Sequence, residues 1–462
     1  MKKLKIFINI CLLVFLAIAC KDKSVEPDTS VKEITGFSFQ GLGNAAIDRF
    51  KHTIFINVPD GTDLSKLIPS ISLSANASVS PVSGVAQDFS KPVSYTVTSK
   101  DGSTQQYKVF VQLENSDIVF IGSSNGKLYA VYALTGQKKW EAGTAGYILG
   151  SPTLNDGLVY IGSNDRKLYA FSASTGEKKW DFSIDPDPGT DAGINSTPMV
   201  TDGIIYFGGT NKLYALDALT GEKKWSFSAA GFVRSSPTVS NGLVYFGDGF
   251  GKCYALNAKN GTKIWEFTSG AAIVSNPCIS GGLVYVTSTD QKIYALDART
   301  GLKTWEFATK GFIESSPGFL NNTLFAGSTD GSLYALDALS GSKKWEFKTF
   351  GNLNWITSSP LVQGNMLYVN ANNGSLYGLD NSTGLKKWEM ILSKPSDGDF
   401  SSPALVNDML FVGSIDFKLY ALDAGTGAQI WSFTSGGTIY SSPCVLGKNG
   451  KVYHAGISGL QQ

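Results

Sequence analysis

The chain has 462 residues, of which 42% are hydrophobic and 17% charged, and it is too long for one compact core of ordinary size. Lys and Arg number 39 and Asp and Glu 38, so the formal net charge of +1 excludes a global field that would attract nucleic acid or an anionic membrane surface. With 51 Gly and 12% aromatic residues, the composition predicts an all-β protein of short strands and tight turns.

Residues 1–19 read as a signal peptide, with Lys2, Lys3 and Lys5 before the apolar stretch Ile6–Ala19. That stretch has 14 residues, fewer than the roughly 20 of a membrane span. The segment resembles a bacterial lipoprotein signal, which implies lipidation at Cys20, a polar tether over residues 20–31 and an outer-membrane location held by the lipid anchor alone. Simple cleavage after Ala19 is the alternative.

Residues 32–113 lack Trp and form the first predicted domain. Thr53–Val58, Val93–Val97 and Tyr107–Val111 are rich in strand-forming residues, and Asp101-Gly102 is a hairpin signal between the last two. The pattern predicts a small β-sandwich that resembles the immunoglobulin-like domains found after lipid anchors. It is either a spacer or a ligand-binding domain.

Residues 117–462 contain one repeat eight times, marked by a Trp every 40 to 45 residues. Periods near 40 with about four short strands per unit are typical of propeller blades, so an eight-bladed β-propeller is expected. The repeated residues are Trp140, Trp180, Trp225, Trp265, Trp305, Trp345, Trp388 and Trp431.

The end of each repeat follows one motif, complete in Ala215-Leu-Asp217-Ala-Leu-Thr220-Gly221-Glu-Lys-Lys-Trp225. Asp accepts backbone N–H bonds in such a turn, Gly permits the bend, and Trp offers a large apolar face that docks one blade on the next. The motif resembles the tryptophan-docking motif of the quinoprotein (PQQ-like) propeller family. Tyr132, Ser172 and Asn257 replace the Asp, so we expect local differences in turn geometry there.

The two ends of the repeat region predict how the ring closes. The first repeat, Asp117 to Ala142, lacks the Ser-Pro strand of the others, and Tyr440–Val445 supplies one without a following Trp. A strand from the end of the chain is therefore expected to complete the first blade, leaving no open sheet edge.

Residues for catalysis are scarce. Quinoprotein enzymes hold a quinone and a calcium over the channel beside a catalytic carboxylate, often with adjacent cysteines, but this chain has no Cys-Cys pair and only His52 and His454. We expect no enzymatic activity, catalytic residue, cofactor or metal. Three scattered cysteines fit buried small side chains better than a disulfide framework: Cys253, Cys278 and Cys444.

Two charged features have competing interpretations. Asp185, Asp187 and Asp191 could collect a calcium, although a solvated loop is the favoured interpretation. The recurring Lys-Lys pair before the Trp, as in Lys223-Lys224, could form a basic patch, but solvated strand faces are favoured.

The strongest variation lies three and five residues before the Pro of each Ser-Pro strand, where the chain enters the innermost strand. We expect these positions to rim the channel mouth and either to bind a peptide strand, a glycan or a small ring, or merely to fill the channel. The candidate residues are Tyr147, Phe232, Arg234, Phe312, Glu314, Trp355, Phe400 and Tyr440.

A lipid signal followed by a propeller of this type resembles the BamB family of lipoprotein scaffolds in outer-membrane β-barrel assembly. The N-terminal sandwich is an addition to that family's pattern. The resemblance implies a non-enzymatic, protein-binding scaffold of the cell envelope. A surface or periplasmic receptor for a glycan or small ligand is the alternative, and a quinone-dependent dehydrogenase is a third hypothesis. No nucleic-acid partner is expected.

Overall fold

The computed structural model describes residues 31–59, 62–113, 116–185, 193–395 and 401–454. The signal peptide, Cys20, Asp187, Asp191 and Phe400 lie outside these residues. The chain divides into two compact units, of which the second contains Phe110–Gln462. Within the described ranges, no helix has the length and apolar character needed to cross a membrane.

The first unit contains two antiparallel sheets. Their order is β2-β1-β5 and β3-β4-β8-β7-β6, with bounds β1 Ile34–Phe39, β2 Gly43–Asn44, β3 Ala46–Asp48, β4 Thr53–Val58, β5 Pro69–Leu73, β6 Ser78–Ser80, β7 Val93–Thr98 and β8 Thr104–Leu113, and a 3-10 turn at Leu64–Lys66. Phe37 from one sheet and Tyr95 from the other are buried with ring centroids 5.8 Å apart. This packing agrees with the predicted β-sandwich.

The second unit is built from short strands that pair antiparallel in chain order. Their bounds are β9 Ile118–Gly122, β10 Lys127–Tyr132, β11 Lys138–Gly143, β12 Thr153–Asn155, β13 Leu158–Gly162, β14 Lys167–Ser172, β15 Lys178–Ser183, β16 Met199–Thr201, β17 Ile204–Gly209, β18 Lys212–Asp217, β19 Lys223–Ser228, β20 Thr238–Ser240, β21 Leu243–Gly247, β22 Lys252–Asn257, β23 Lys263–Thr268, β24 Cys278–Ser280, β25 Leu283–Ser288, β26 Lys292–Asp297, β27 Lys303–Ala308, β28 Gly318–Leu320, β29 Thr323–Gly327, β30 Ser332–Asp337, β31 Lys343–Lys348, β32 Leu361–Gln363, β33 Met366–Asn370, β34 Ser375–Asp380, β35 Lys386–Ile391, β36 Ala404–Val406, β37 Met409–Gly413, β38 Lys418–Asp423, β39 Gln429–Thr434, β40 Cys444–Leu446 and β41 Val452–His454.

These strands form the blades of a propeller. Among the described residues there are seven four-stranded sheets, β12–β15 through β36–β39, and one five-stranded sheet in the order β11-β10-β9-β40-β41. In that sheet β40 pairs with β9, Cys444 opposite Phe120, so the predicted closure by a strand from the end of the chain is confirmed. The fifth strand, β41, continues the sheet on the inner side of β40 and was not predicted.

The middle strands of each blade are apolar on both faces because each sheet packs between two neighbours. All five residues of β13 are buried, and one hydrophobic cluster joins Tyr160 of this blade with Phe207 and Leu216 of the next. Continuous apolar runs, rather than strict alternation, are what such doubly covered strands require.

The Trp side chains dock each blade on the next. Trp265 is buried, and its Nε1 donates to the Ala298 carbonyl of the following blade at 3.0 Å. A Cβ at Gly301 would lie 2.7 Å from the Trp265 ring, so this position also needs glycine for the close approach. The same type of bond is made by Trp140, Trp225, Trp265, Trp305, Trp345, Trp388 and Trp431. Trp180 Nε1 is buried and has no partner.

The expected differences in turn geometry were wrong. The motif glycine has a φ between 72° and 75° in all eight repeats, including those that begin with Tyr132, Ser172 and Asn257. Asn257 Oδ1 accepts from Lys259 N at 3.0 Å, as Asp297 Oδ1 does from Arg299 N. The turn keeps its shape because the glycine and the backbone bond that closes it, such as Gly136 N to the Tyr132 carbonyl at 2.9 Å, do not depend on the Asp.

Candidate binding site in and around the central channel

A closed circle of hydrogen bonds surrounds the channel. The residue before each inner-strand Pro donates its backbone N–H to the side-chain oxygen of the equivalent residue in the next blade, for example Thr197 N to Ser236 Oγ at 2.8 Å. Ser442 N donates to Ser151 Oγ at 2.8 Å and completes the circle. Its members are Ser151, Thr197, Ser236, Asn276, Ser316, Ser359, Ser402 and Ser442. In the sequence, this circle is indicated by a Ser, Thr or Asn directly before the inner-strand Pro of every repeat.

A cavity of about 880 Å³ lies inside this circle. The residues three before the Pro line it in the seven repeats where they are described, which brings the predicted Arg234, Glu314 and Tyr440 together with four others of the same register: Leu149, Asn195, Val274 and Thr357.

The predicted residues five before the Pro lie elsewhere: Tyr147, Phe232, Phe312 and Trp355 do not line the cavity and are exposed. They belong to the connections that precede the inner strands, and each is tied by its carbonyl to the loop between the second and third strands of its blade. Thr329 N, for instance, donates to the Phe312 carbonyl at 2.9 Å. Antiparallel pairing places both kinds of loop at the same end of the propeller.

Three further exposed aromatic residues, missed in the sequence, lie in loops at this end: Phe250, Phe350 and Phe417. Phe250 lies four residues before Tyr254, where most repeats have Asp or Asn, as with Asp290 before Tyr294. In this blade Asp248 takes over the framework role, accepting from Tyr254 Oη and Gly231 N at 3.0 Å each. We call these seven residues the aromatic face: Tyr147, Phe232, Phe250, Phe312, Phe350, Trp355 and Phe417, with exposed fractions from 36% to 80%.

Arg234 and Glu314 are the two oppositely charged side chains that line the cavity among the described residues. The Arg234 guanidinium lies over the Phe232 ring, 5.0 Å from its centroid, which fixes its position by a cation–π contact. Burial raises the pKa of the Glu314 carboxyl, and the charge of Arg234 partly opposes that rise. Neither side chain forms an ion pair or hydrogen bond with another described residue.

The unpredicted strand β41 brings His454 to the cavity wall. Its Nδ1 lies 3.4 Å from Cys444 Sγ, and burial lowers the pKa of His454 to about 4, so the ring is neutral near neutral pH. Cys253, Cys278 and Cys444 are free thiols, with Cys253 and Cys444 buried and Cys278 half-buried on the cavity wall.

The other charged features do not form sites among the described residues. Lys343 and Lys344 pair with Glu346 at 2.7 Å and Asp337 at 3.5 Å, which neutralises this Lys-Lys pair on the outer strands. Asp185 pairs with Lys212 at 2.9 Å. The described ranges contain no group of three or more His, Cys, Asp or Glu side chains placed to hold a metal ion.

Comparisons with solved structures show the fold. A computationally designed protein, Ika8, matches with a TM-score of 0.56 at 14% identity, covering 67% of this chain and 96% of its own. BamB from Moraxella catarrhalis matches with a TM-score of 0.51 at 19% identity, covering 66% and 88%. A europium-containing methanol dehydrogenase matches with a TM-score of 0.54 at 15% identity, covering 66% and 81%. No curated protein sequence matches the chain.

Two family models match the sequence. The model described as "SGBP, N-terminal" matches residues 34–111. The model described as "Outer membrane protein assembly factor BamB" matches residues 104–231, 211–317, 311–405 and 391–456, which is more than half of the chain. With its PQQ-like repeats, docking tryptophans and closed ring, the chain belongs to this BamB family.

Proposed function

We propose that the chain is a non-enzymatic scaffold of the cell envelope, anchored to the outer membrane through Cys20, that binds a protein partner on the aromatic face. The observation that carries this proposal is that seven large aromatic side chains are exposed at one end of the propeller. The blade framework requires none of them, since they project from connecting loops.

Exposed aromatic clusters are the usual anchors of protein interfaces. Trp, Tyr and Phe are enriched at interface centres because each brings a large area at a low entropic cost. The loops beneath them are rigid: Phe232 packs on Gly249, and the Phe232 carbonyl accepts from Gly249 N at 2.9 Å. A preformed surface loses little conformational entropy on binding, so a partner with exposed aliphatic or aromatic side chains is the expected occupant.

Family membership supports the envelope role. The matching model carries the description of an outer-membrane protein assembly factor, and a part in such assembly is the finer role that we propose.

A glycan is the second candidate ligand. The match of residues 34–111 to a surface glycan-binding (SGBP) family favours it, and aromatic faces suit the apolar faces of sugar rings. Here the first unit and the aromatic face would be the surfaces to test.

The described part of the cavity wall does not fit the calcium site that the resemblance to quinoprotein enzymes implies. Calcium takes six to eight oxygen ligands, several from carboxylates, whereas Glu314 is the single carboxylate on the cavity wall among the described residues. We derive no reaction step through a quinone.

The test is to change Phe312 and Trp355 together to Ser and to crosslink the tagged protein in intact envelopes. Both side chains are exposed, so the fold should persist. The matched control changes Leu302 and Leu385 to Ser, because these leucines are 71% and 65% exposed in turns at the opposite end of the propeller.

We expect discrete crosslinked protein partners with the wild-type chain and the leucine control, and at least a tenfold lower yield with the aromatic variant. Equal yields from both variants would place the partner elsewhere. If no protein partner is recovered and the aromatic variant alone loses binding to purified polysaccharide, the ligand of the aromatic face is a glycan.

A further inference from the structure

The channel contains two opposite charges, Arg234 and Glu314, that form no ion pair or hydrogen bond with each other or with another described residue. Arg234 and Glu314 lie four residues before the inner strands of the β20–β23 and β28–β31 sheets, and Val274 holds the same place in the intervening blade. Both residues keep an exposed part on the cavity wall, so their charged groups are accessible to ligand groups of opposite sign.

The wall between and around these charges is apolar or neutral. Val274 and Leu149 contribute aliphatic side chains, and the inner-strand prolines add apolar surface. A volume of about 880 Å³ falls within the roughly 300–1,000 Å³ of small-molecule sites. The cavity therefore suits a ligand with an apolar body and two opposite charges.

We propose that the central channel binds a small zwitterion of the amino-acid or short-peptide class, whose carboxylate pairs with Arg234 and whose ammonium group pairs with Glu314. Arg suits a carboxylate because its planar guanidinium donates two parallel hydrogen bonds. Stacking on Phe232 holds that guanidinium in place before the ligand arrives.

Other ligand classes fit these charges less well. A uronic acid or other purely anionic sugar would satisfy Arg234 but meet repulsion from Glu314, and a polyamine would have the reverse problem. A neutral sugar would leave both charges unpaired. His454 adds no charge near neutral pH.

The channel already accommodates a length of extended chain. Strand β41 pairs with β40 on the inner side of its blade, with Val445 opposite Tyr453, and its His454 reaches the same cavity wall. The channel is thus wide enough to admit a peptide backbone in addition to the eight inner strands.

Titration calorimetry of the full propeller-containing chain with leucyl-leucine tests the proposal. The probe has one free ammonium group, one free carboxylate and two aliphatic side chains. We expect saturable binding that weakens about tenfold or more when the peptide is N-acetylated or C-amidated, corresponding to the loss of at least about 1.4 kcal/mol.

Variants identify which end each charge holds. With Arg234→Gln, the free acid and the amide should bind equally; with Glu314→Gln, the free amine and the acetylated peptide should bind equally. Leu302→Ser, which is exposed in a turn at the opposite end of the propeller, is the control and should bind like wild type.

Three results would overturn the proposal: no binding of the free peptide, equal binding of blocked and free peptides to the wild-type chain, or saturable binding of a glucuronate oligosaccharide that the free peptide does not displace. None of these bears on the aromatic face, whose crosslinks are measured separately, so the two proposals fail independently.

Discussion

At the scale of single residues, the docking tryptophans allow the contribution of indole packing to stability to be distinguished from that of the indole hydrogen bond. Trp265 and Trp180 occupy equivalent positions and contact equivalent glycines, Gly301 and Gly221. Trp265 Nε1 has the Ala298 carbonyl as its acceptor, whereas Trp180 Nε1 is buried without one. An unsatisfied buried donor costs free energy that a satisfied one does not.

Changing each of these Trp residues to Phe should therefore have unequal effects. Both variants lose a similar part of the ring, but Trp265→Phe also loses a hydrogen bond to the Ala298 carbonyl, which keeps the Tyr245 hydroxyl as its other donor. Trp180→Phe removes a donor that was already unsatisfied. We expect Trp265→Phe to lower the free energy of unfolding by about 1 kcal/mol more than Trp180→Phe, as measured by urea denaturation. The reverse order would show that ring packing alone sets the contribution of these residues.

At the scale of elements, the inner strands explain which part of the candidate site could be predicted. The residues three before the Pro line the cavity in the seven repeats where they are described, and an alignment of the repeats identified that position. The residues five before the Pro lie two positions earlier in the chain, so the alternation of a strand predicts that their side chains also point into the channel. Both positions lie before the inner strand, which begins one residue after the Pro, so the two-residue period does not extend to them, and Tyr147, Phe232, Phe312 and Trp355 are exposed instead.

Strand β41 could not be predicted from its sequence. It has three residues, too few for a periodic pattern, and its position depends on β40, which itself pairs with a strand more than 300 residues earlier in the chain. A short strand at the end of a sheet is specified by tertiary contacts rather than by local preference.

The buried His454 makes β41 sensitive to acid. Burial lowers the pKa of His454 from 6.5 to about 4, so the neutral ring stabilises the paired strand above pH 6.5, and that stabilisation is lost as the pH falls towards 4. Hydrogen exchange at Val452–His454, corrected for intrinsic rates, should accelerate over this range. The His454→Phe variant, which cannot be protonated, should show no such acceleration; if it does, carboxyl groups elsewhere are responsible.

At the scale of the whole molecule, repetition made the fold predictable. Because one unit is repeated eight times, an alignment of the repeats shows the position of each strand eight times over. The repeated Trp indicates where neighbouring units pack together. Arg234 and Glu314, by contrast, each occur in only one repeat. A single Arg or Glu in a sequence does not indicate which residues lie across the channel from it. That these two side chains line the same cavity became evident only from the closed ring in the structure.

Repetition also predicts a shared response to alkali. Burial raises the pKa of Tyr206, Tyr245, Tyr285 and Tyr368, at equivalent places in four blades, from 10.0 to about 12. The stabilisation from these protonated side chains is complete below pH 10 and is lost as the pH rises towards about 12. Tyrosinate absorbance and circular dichroism should change together there, and a tyrosinate signal that saturates near pH 10 with the fold intact would contradict this expectation.

The closure of the ring also sets an order of events during biosynthesis. Strand β9 is among the first propeller strands to leave the ribosome, yet its inner neighbour β40 is among the last. The blade begun first is consequently finished last, and the edge of β9 stays open to wrong pairing until nearly the whole chain has been made. A protein built in this way gains from any factor that keeps the growing chain unfolded until its final strands are available.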